Sequence, residues 1–501
     1  MKPPYSAGRG PRAGAPKGPR PGGPRLDGPR REGPRRDGPP GPRRDGPRRE
    51  APRPDPRPAP GGGARATALE VLAALEDDNA FLQPAVDGAL RRAHLSRVDQ
   101  ALVRELVAGT TRWQARLDHA LDQHARKGMD QTPVPIRRVL RLAAYQILFL
   151  DRIPDHAAVD AAVDQARFLG GEPMARLCNA VLRKLSQHGD QPPRGDEPGA
   201  LAARLSQPRW LVLRWLAEGG PALAARRGAA CNRPAPLTIR PDRARLEPEI
   251  LLNRLQAEGA TVVRGTYAPE ALHLEDHPDP FGSDSFGDGW WRVQDEAAQL
   301  VGHLLDPQPG ETVWDVCAAP GGKTRHLARL MQGEGRLLAT DTHPGKADRL
   351  AQTLRDLECV RVQQHDGTVP LDGPPPFDRV LVDAPCSGFG VLRRHPELKW
   401  RRTPEDIGRL AELQARILDA AALGVRPGGV LVYSVCTDTP EEGPRQAEAF
   451  LERNPLFTRD DPPAGAIDWA PLMTDGYVAT RIEDHGTDAF FAARFRRRED
   501  P

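Results

Sequence analysis

Two cysteines lie in motifs whose residues could carry out covalent chemistry. Cys386 belongs to DAPCSGFGVLRRHPELKW, residues 383–400, and Cys436 belongs to YSVCTDTPEE, residues 433–442. A thiolate that adds to carbon 6 of a cytosine turns the ring into an enamine, whose carbon 5 can then attack a sulfonium methyl group. A second thiol beside the first can assist release of the product. The competing interpretation of either cysteine is a small buried hydrophobic side chain at a strand end.

A glycine-rich turn, CAAPGGKT at residues 317–324, is a candidate ligand site. Gly321 and Gly322 let the backbone turn sharply and approach a ligand at the start of a helix. The turn lacks the GxGxxG and GxxxxGK[S/T] patterns, which argues against NAD and ATP as ligands. We expect Lys323 either to meet the carboxylate of a cofactor or to pair with a nearby acid.

Two aspartates end the next predicted strands. Asp341 ends RLLATD, where a carboxylate can accept hydrogen bonds from both hydroxyls of a ribose. Asp366 ends VRVQQHD, and we expect it near the adenine of a cofactor. Either aspartate in isolation would be interpreted as a helix cap or a turn residue. Their succession after a glycine turn favours a cofactor site.

Strands and helices must alternate to bring these side chains to one place. In a doubly wound parallel sheet, ligands bind outside the carboxyl ends of the strands, so both cysteines are expected at that edge. Short apolar segments predict five strands: TVWDVCA, RLLATD, VRVQQHD, RVLVDA and VLVYSVC.

The chain before this sheet is organised differently. Residues 64–187 place apolar side chains at spacings of three and four, which predicts an all-helical domain. Pro154 precedes its last helix, and Gly170–Gly171 is predicted to close that helix. Residues 188–285 begin with a Pro, Gly and Asp linker and continue into a small α+β module.

Residues 1–63 are almost entirely Pro, Gly, Arg, Ala and Asp, which predicts a disordered tail. They carry 16 Lys and Arg against 6 Asp and Glu, whereas the whole chain has a formal charge of only +3. The basic balance therefore comes from the tail and does not show that the folded part binds nucleic acid. We expect the tail either to bind RNA nonspecifically or to be a solvated extension.

The six cysteines include no CxxC pair and no dense spacing, which argues against a metal site and a secreted disulfide framework. We interpret Cys178, Cys231 and Cys359 as structural. The N-terminus lacks a hydrophobic signal core, and the most apolar run, AAYQILFL at 143–150, is too short to cross a bilayer. We therefore expect a cytoplasmic protein without a membrane or metal partner.

A short basic stretch beside the Pro-Cys motif is a candidate RNA contact. Its cations would hold phosphates and its indole would stack on an unpaired base, although a solvated basic loop is the alternative. Two residues before a predicted strand are further candidates, with loop capping as their alternative role. The predicted RNA contacts are Arg393, Arg394, Lys399, Trp400, Arg401, Arg402, Asn232 and Arg233.

These motifs together resemble the RNA cytosine-5 methyltransferases of the RsmB/Nop2/Sun family, from RVQDEAAQL at 292–300 to DAFFAARF near the C-terminus. The resemblance implies S-adenosylmethionine as cofactor, Cys436 as nucleophile and Cys386 in product release. It implies that Asp383 contacts both cofactor and target base, with Lys323 in the same catalytic group. It also implies cofactor contacts from Cys317, Ala318, Ala319, Pro320, Gly321, Gly322, Lys323, Asp341, Asp366 and Asp383.

The earlier segments IPDHAAVDAAVDQAR and NAVLRKL resemble the helical NusB fold, an RNA-binding module. The chain is thus expected to be a multidomain monomer: a basic tail (1–63), an all-α NusB-like bundle (64–187), a linker with a small α+β module (188–285) and an α/β Rossmann-like methyltransferase domain (286–497). Its expected activity is methylation of carbon 5 of a cytosine in 16S ribosomal RNA.

Two other functions stay open at this point. A transfer RNA substrate is the nearest alternative, because the catalytic motifs are common to both branches of the family, although the helical domain favours ribosomal RNA. A catalytically silent antitermination adaptor would predict a broken glycine turn or a lost cysteine. Val435, where Thr is usual, and Gly443, where Asn often follows PEE, depart from the family pattern and can change the shape of the pocket.

Overall fold

The computed structural model describes residues 63–77, 80–277, 279–373 and 377–499. The tail predicted over 1–63 therefore lies outside the described residues, except for Gly63. Three folded regions follow one another along the described part of the chain, and none of its helices is long and apolar enough to span a bilayer.

The first region is all-helical, as its spacing of apolar residues predicts. Val103, Leu106 and Leu140 are completely buried in its core, and each such burial contributes roughly 1.5–3 kcal/mol. The helices are α1 (Ala64–Asp77), α2 (Leu82–Ala93), α3 (Arg97–Arg112), α4 (Gln114–Asp122), α5 (Val134–Phe149) and α6 (Asp155–His188).

The helical run α6 consists of two helices that meet at the glycine pair predicted to close the first. Gly171 has a φ of 71° and a ψ of −171°, which ends the first helix and is open to glycine because it has no β-carbon. Pro173 follows in the first turn of the second helix, where a missing N–H costs little. The second helix buries Cys178 and Leu182 in the core, and the predicted helix end at Gly170–Gly171 is confirmed.

Two helices, α7 (Pro198–Leu205) and α8 (Arg209–Asn232), connect the first region to the rest. Trp215 of α8 shares a buried cluster with Phe389 and Leu392, which lie beside the Pro-Cys motif. The linking helices therefore form part of the wall behind the candidate site.

Arg227 of α8 is a buried cation that pairs with three carboxylates. Its guanidinium lies 2.7 Å from Glu218, 2.8 Å from Glu483 and 3.2 Å from Asp438. Asp438 follows Cys436 closely in the chain, so these ion pairs connect α8 to the loop that carries the predicted nucleophile.

The second region is a small antiparallel sheet with the strand order β2-β3-β1-β4. Trp291 is completely buried in its core beside Ile239 and Leu251, so the sheet includes residues that the sequence assigned to the catalytic domain. The elements are β1 (Leu237–Pro241), α9 (Pro248–Ala257), β2 (Thr261–Arg264), β3 (Leu272–Asp276), α10 (Asp284–Gly287) and β4 (Trp291–Val293).

The third region is a mixed sheet flanked by helices. Its elements are α11 (Glu296–Leu305), β5 (Thr312–Asp315), α12 (Gly322–Leu330), β6 (Arg336–Asp341), α13 (Pro344–Leu354), β7 (Val360–Gln364), β8 (Phe377–Asp383), α14 (Leu398–Arg401), α15 (Pro404–Ala422), β9 (Val425–Val435), α16 (Pro444–Arg453), β10 (Phe457–Arg459), β11 (Met473–Thr474), β12 (Tyr477–Ala479), α17 (Ile482–His485) and β13 (Phe491–Arg497).

The strand order is β11-β12-β13-β9-β8-β5-β6-β7, with β10 beside β13. Strands β5 to β9 pair in parallel, and all five predicted strands are present. The chain runs outward from β5 to β7 and then returns to β8 on the other side of β5, which creates a crevice at their carboxyl ends. The predicted fold class is confirmed, whereas the antiparallel strands β10 to β13 were not predicted. Strands β10, β11 and β12 have three residues or fewer, and the seven residues of β13 do not alternate apolar and polar side chains.

Glu270 joins the small sheet to the catalytic region through two histidines. Its carboxylate accepts hydrogen bonds from His326 at 2.7 Å and from His303 at 2.8 Å. Burial acts to raise the pKa of Glu270, but these two hydrogen bonds outweigh burial and hold the pKa below its usual range. The three side chains are also close enough to share a metal ion, a grouping that the sequence did not predict.

Replacement of Arg227 by Met should strongly destabilise the protein. The change leaves the buried carboxylates of Glu483 and Asp438 without their cation, which typically costs about 3–5 kcal/mol. Arg226→Met is the matched control, because Arg226 is 62% exposed and its pair with Asp484 spans 3.4 Å. Urea unfolding should show a change within about 0.5 kcal/mol for the control. Equal midpoints for the two variants would contradict the ion-pair assignment.

Candidate active site

The two motif cysteines meet at the carboxyl edge of the sheet. Strands β8 and β9 run parallel, with Asp383 directly opposite Ser434. Each strand continues into a short turn that carries one of the cysteines. The Sγ atoms of Cys386 and Cys436 consequently lie 3.1 Å apart, within hydrogen-bond distance for sulfur.

The environment keeps Cys386 protonated. The contact with Cys436 raises the pKa of Cys386 well above its usual value, and burial and the charges of Glu442 and Asp383 raise it further. Cys386 can therefore donate its S–H to the sulfur of Cys436 at neutral pH. A cysteine attacks an electrophile as the thiolate, so a thiol that stays protonated leaves its neighbour as the candidate nucleophile.

Asp383 is oriented by contacts on both of its oxygens. Lys323 Nζ donates to Asp383 Oδ2 at 2.7 Å, and Ser434 Oγ donates to Oδ1 at 2.8 Å. Burial acts to lower the pKa of Lys323, but the Asp383 carboxylate outweighs burial and raises it. Lys323 therefore stays charged, and of the two roles expected for it the structure shows the pairing with an acid.

The glycine turn requires glycine at its centre. Gly321 has a φ of 102°, and a β-carbon on it would lie 2.8 Å from the side chain of Leu350. Helix α12 begins directly after this residue, so its free N–H groups face the crevice above β5.

Asp315, at the end of β5, is a further acidic residue that the sequence analysis did not single out. Its Oδ2 accepts a hydrogen bond from Thr324 at 2.7 Å, while its buried Oδ1 has no partner. Burial raises the pKa of Asp315 to about 7, and the nearby Asp383 and Asp341 add to the shift. The position of Asp315 in TVWDVCA, near the end of a predicted strand, was the sequence feature from which it could have been found. The site thus gathers three carboxylates around one lysine.

Asp366 follows the carboxyl end of β7, one residue after His365, whose N–H donates to the carbonyl of Asp341 at 3.1 Å. It is exposed, and its Oδ1 accepts hydrogen bonds from the N–H and hydroxyl of Thr368, the pattern of an Asx turn. It also lines a cavity of about 760 Å³ beside β6 and β7. Its predicted position near an adenine stays a prediction.

The predicted basic RNA contact is mostly an internal interface. Arg393 is 5% exposed, and its guanidinium contacts the carboxylate of Asp488 at 3.2 Å. Arg394 pairs with both Asp488 and Asp295 at 2.7 Å. Neither guanidinium is free to hold a phosphate, so these two predicted RNA contacts are corrected to structural ion pairs.

Lys399 also points inward. Its ammonium is held 2.8 Å from the carbonyl of Arg112, 2.7 Å from that of Ser206 and 3.3 Å from Oδ1 of Asn232. Helices α3, α7 and α8 end at these positions, and helix C-termini attract cations. Burial nevertheless lowers the pKa of Lys399 to about 7. Lys399 and Asn232 therefore join three helix ends and do not face solvent.

The remaining members of the stretch divide between interface and surface. Trp400 donates from its indole to the carbonyl of Thr111 at 2.7 Å, and Arg401 donates to the carbonyl of Ala80, so both contact the helical region. Arg402 is half-buried against the backbone of the Cys386 turn. Trp400, Arg401 and Arg402 are partly exposed and Arg233 is exposed, so their contact with RNA stays a prediction.

The two departures from the family pattern lie beside the reactive edge. Val435 is completely buried at the end of β9, opposite Phe491 of β13. A β-carbon on Gly443 would lie 3.2 Å from the ring of Phe491 and from the carbonyl of Thr439. A side chain at 443 would therefore require Phe491 to move.

Family models match three segments of the chain. Residues 63–187 match the NusB family, residues 207–279 the RsmF/B-like ferredoxin-like domain, and residues 302–496 the 16S rRNA methyltransferase RsmB/F family. A helical region, a small sheet and a doubly wound sheet with acidic strand ends accordingly define an α/β methyltransferase with two accessory domains. The chain belongs to the RsmB/F family of 16S rRNA methyltransferases.

Curated relatives cover nearly the same span. The chain is 35% identical over 450 residues to the probable ribosomal RNA small subunit methyltransferase B of Bacillus subtilis, covering 87% of this chain and 98% of that protein. It is 35% identical to ribosomal RNA small subunit methyltransferase B of Pseudomonas putida, covering 78% of this chain and 89% of the relative.

Solved structures share the fold. The crystal structure of PH0851 superposes with a TM-score of 0.73 at 25% identity, covering 88% of this chain and 99% of that chain. NSun6 from Pyrococcus horikoshii matches with a TM-score of 0.52 at 21% identity, covering 58% of this chain and 99% of its own, which supports the fold alone.

Diamide should join Cys386 and Cys436 by a disulfide in the folded protein. Sulfurs 3.1 Å apart need to approach by about 1 Å to reach bonding distance, and diamide takes up the two electrons and two protons that the thiols release. Peptide mass spectrometry should find this link, reversible by dithiothreitol, while the half-buried Cys359 stays reduced. Recovery of both thiols unchanged would contradict the observed geometry.

Proposed function

We propose that this protein transfers a methyl group from S-adenosylmethionine to carbon 5 of a cytosine in 16S ribosomal RNA, with Cys436 as the covalent nucleophile. The observation that carries the proposal is the pair of sulfurs 3.1 Å apart beside Asp383. Carbon 5 of cytosine is a weak nucleophile, so its methylation needs a group that adds at carbon 6. The attacking thiol would perform the addition at carbon 6, and the protonated thiol beside it would assist the release.

The residues above β5 fit S-adenosylmethionine. Asp315, Asp341 and Asp383 place carboxyl groups around a crevice that has a glycine turn and a helix N-terminus on one side, and Asp315, with a pKa of about 7, is about half ionised at neutral pH. The unpartnered Oδ1 of Asp315 is a hydrogen-bond acceptor left for a ligand group. The cofactor, when bound, supplies an electrophilic methyl group on a positively charged sulfonium, and nearby carboxylates favour that charge.

Each cysteine has a separate task in this proposal. The Cys436 thiolate forms a bond to carbon 6, and the electron pair displaced toward carbon 5 makes that carbon nucleophilic. After methylation, the proton on carbon 5 passes to Cys386 as Cys386 gives its own proton to the departing sulfur of Cys436. The electron pair of the carbon–hydrogen bond re-forms the double bond between carbons 5 and 6, and the carbon–sulfur bond breaks with its electron pair on Cys436. Cys386 is the adjacent acid–base group for that release. Asp383, oriented by Lys323 and Ser434, is assigned to contact both the cofactor and the target base.

Ribosomal RNA is the proposed substrate because the whole domain arrangement matches proteins named for it. The helical region at 63–187 and the small module at 207–279 both precede the catalytic region in this chain. Lys399 donates to the carbonyl of Arg112 in the helical region, and Arg394 donates to that of Pro236 in the small module, so the segment that follows Cys386 contacts both.

Replacement of Cys436 by Ala should abolish methylation and leave binding of S-adenosylmethionine within about twofold. The variant removes the only group assigned to attack carbon 6. Bisulfite sequencing of total RNA from cells carrying this variant should lose one 5-methylcytosine in 16S rRNA. Cys359→Ala is the control and should retain it. Loss of the mark from a transfer RNA would support the alternative substrate, and an unchanged pattern would overturn the nucleophile assignment.

Replacement of Cys386 by Ser should trap the enzyme on its RNA. Addition through Cys436 and methyl transfer can still occur, but the serine hydroxyl is a much weaker acid–base group for release. A slowly migrating protein–RNA band should therefore accumulate on a denaturing gel with S-adenosylmethionine present. The double variant with Cys436→Ala should show no band. Rapid turnover of Cys386→Ser without such a band would contradict the role in release.

A further inference from the structure

Glu442 is a buried carboxylate that lies between the two cysteine turns. It is 0% exposed and accepts four hydrogen bonds. Oε1 receives the backbone N–H of Ser387 at 2.8 Å and the amide of Gln414 at 3.0 Å. Oε2 receives the hydroxyls of Ser387 at 2.5 Å and Thr439 at 2.7 Å. One carboxylate thus binds both turns at once.

These contacts reach the cysteines through their immediate neighbours. Ser387 follows Cys386, and Thr437 follows Cys436. The hydroxyls of Ser387 and Thr437 lie 2.9 Å apart, so the two turns also contact each other directly beneath the sulfurs. A displacement of Glu442 would therefore change the distance between the two thiols without removing either one.

The hydrogen-bond partners of the Glu442 carboxylate are unusual for a buried acid. All of its hydrogen-bond donors are neutral, and among the described residues Glu442 forms no ion pair. Burying a charge without a cation is costly. If this side chain only joined the two turns, an amide or an apolar side chain would do so at a lower cost in desolvation free energy. Charge-assisted hydrogen bonds are shorter and stronger than neutral ones. A carboxylate is therefore suited to fixing the distance between the sulfurs of Cys386 and Cys436.

The charge has a second effect on the same site. Glu442 contributes to the raised pKa of Cys386, after the larger effects of the Cys436 contact and burial. A carboxylate at this position therefore helps to keep the proton on Cys386 while Cys436 reacts.

We propose that Glu442 is the positioning residue of the two-thiol reaction, holding Cys386 and Cys436 in the geometry that both addition and release require. The proposal rests on the proposed function above. It assigns to the second glutamate of PEE a task that the first does not share. Glu441 is 31% exposed and pairs with Arg214 at 2.8 Å, outside the cysteine turns.

The test compares Glu442→Gln with Glu441→Gln, since the two variants make the same chemical change at adjacent positions. In Glu442→Gln one acceptor oxygen becomes an NH₂ group that faces donors, so the turns should separate. We expect kcat for RNA methylation to fall at least about tenfold, as misplacement of reacting groups typically causes, with KM for S-adenosylmethionine within about twofold. Glu441→Gln should keep both constants within about twofold.

The rate of diamide-induced linkage between Cys386 and Cys436 is the second readout, because it reports the distance between the sulfurs without RNA or methyl donor. It should fall at least about fivefold in Glu442→Gln and stay unchanged in Glu441→Gln. A folded Glu442→Gln protein with wild-type kcat and wild-type linkage rate would overturn the proposal. That failure is distinguishable from failure of the proposed function, which would appear as methylation by Cys436→Ala.

Ser387→Ala covers the case in which Glu442→Gln does not fold. This variant removes one hydroxyl donor to Glu442 and the contact with Thr437, but keeps the backbone N–H donor. We expect a smaller loss of about threefold in both kcat and linkage rate, with the thermal midpoint close to that of the wild type. If Ser387→Ala matches the wild type in both rates, the positioning role is rejected.

Discussion

The parallel pairing of β8 with β9 is the interaction on which the site depends. Backbone hydrogen bonds place Asp383 opposite Ser434, and neighbouring strands in a sheet lie about 4.8 Å apart. Two turns that leave adjacent strands at the same level cannot avoid each other, which is why the thiols approach to 3.1 Å. A change of register by one residue would turn the side chains at this edge to the opposite face. The antiparallel strand β13 pairs with β9 along its length and helps to prevent such a shift.

Electrostatics around that edge are divided between two carboxylate groups. Asp315, Asp341 and Asp383 gather on the cofactor side, where a single lysine pairs with Asp383. Glu442 lies on the other side of the cysteines and is satisfied by neutral donors. The thiols therefore lie between negative groups. That arrangement favours a proton on Cys386 and a cationic ligand above β5, two conditions that the proposed reaction needs together.

Buried side chains of lysine and arginine join the regions of the molecule. Lys399 donates hydrogen bonds to oxygen atoms at the C-terminal ends of α3, α7 and α8, and Arg394 bridges Asp295 and Asp488. Such contacts orient the accessory regions because a buried charge loses much of its stabilisation if its partners move. The helical region is consequently held in a defined position relative to the segment that follows Cys386.

Much of this molecule could be read from local sequence. The periodicity of residues 64–187 predicted helices, the five apolar segments predicted strands, and DAPCSG and YSVCT placed both cysteines at one edge, because these properties depend on residue type and on neighbours nearby in the chain. Whether the side chains of the basic stretch beside the Pro-Cys motif point into the protein or toward solvent could not be predicted from the local sequence. Lys399 and the carbonyl of Arg112 that it contacts are 287 residues apart, and no spacing rule reports such a contact. The same limit hid Asp315 and Glu442: a lone acid reads as a surface residue until packing between distant segments removes it from water and supplies its partners.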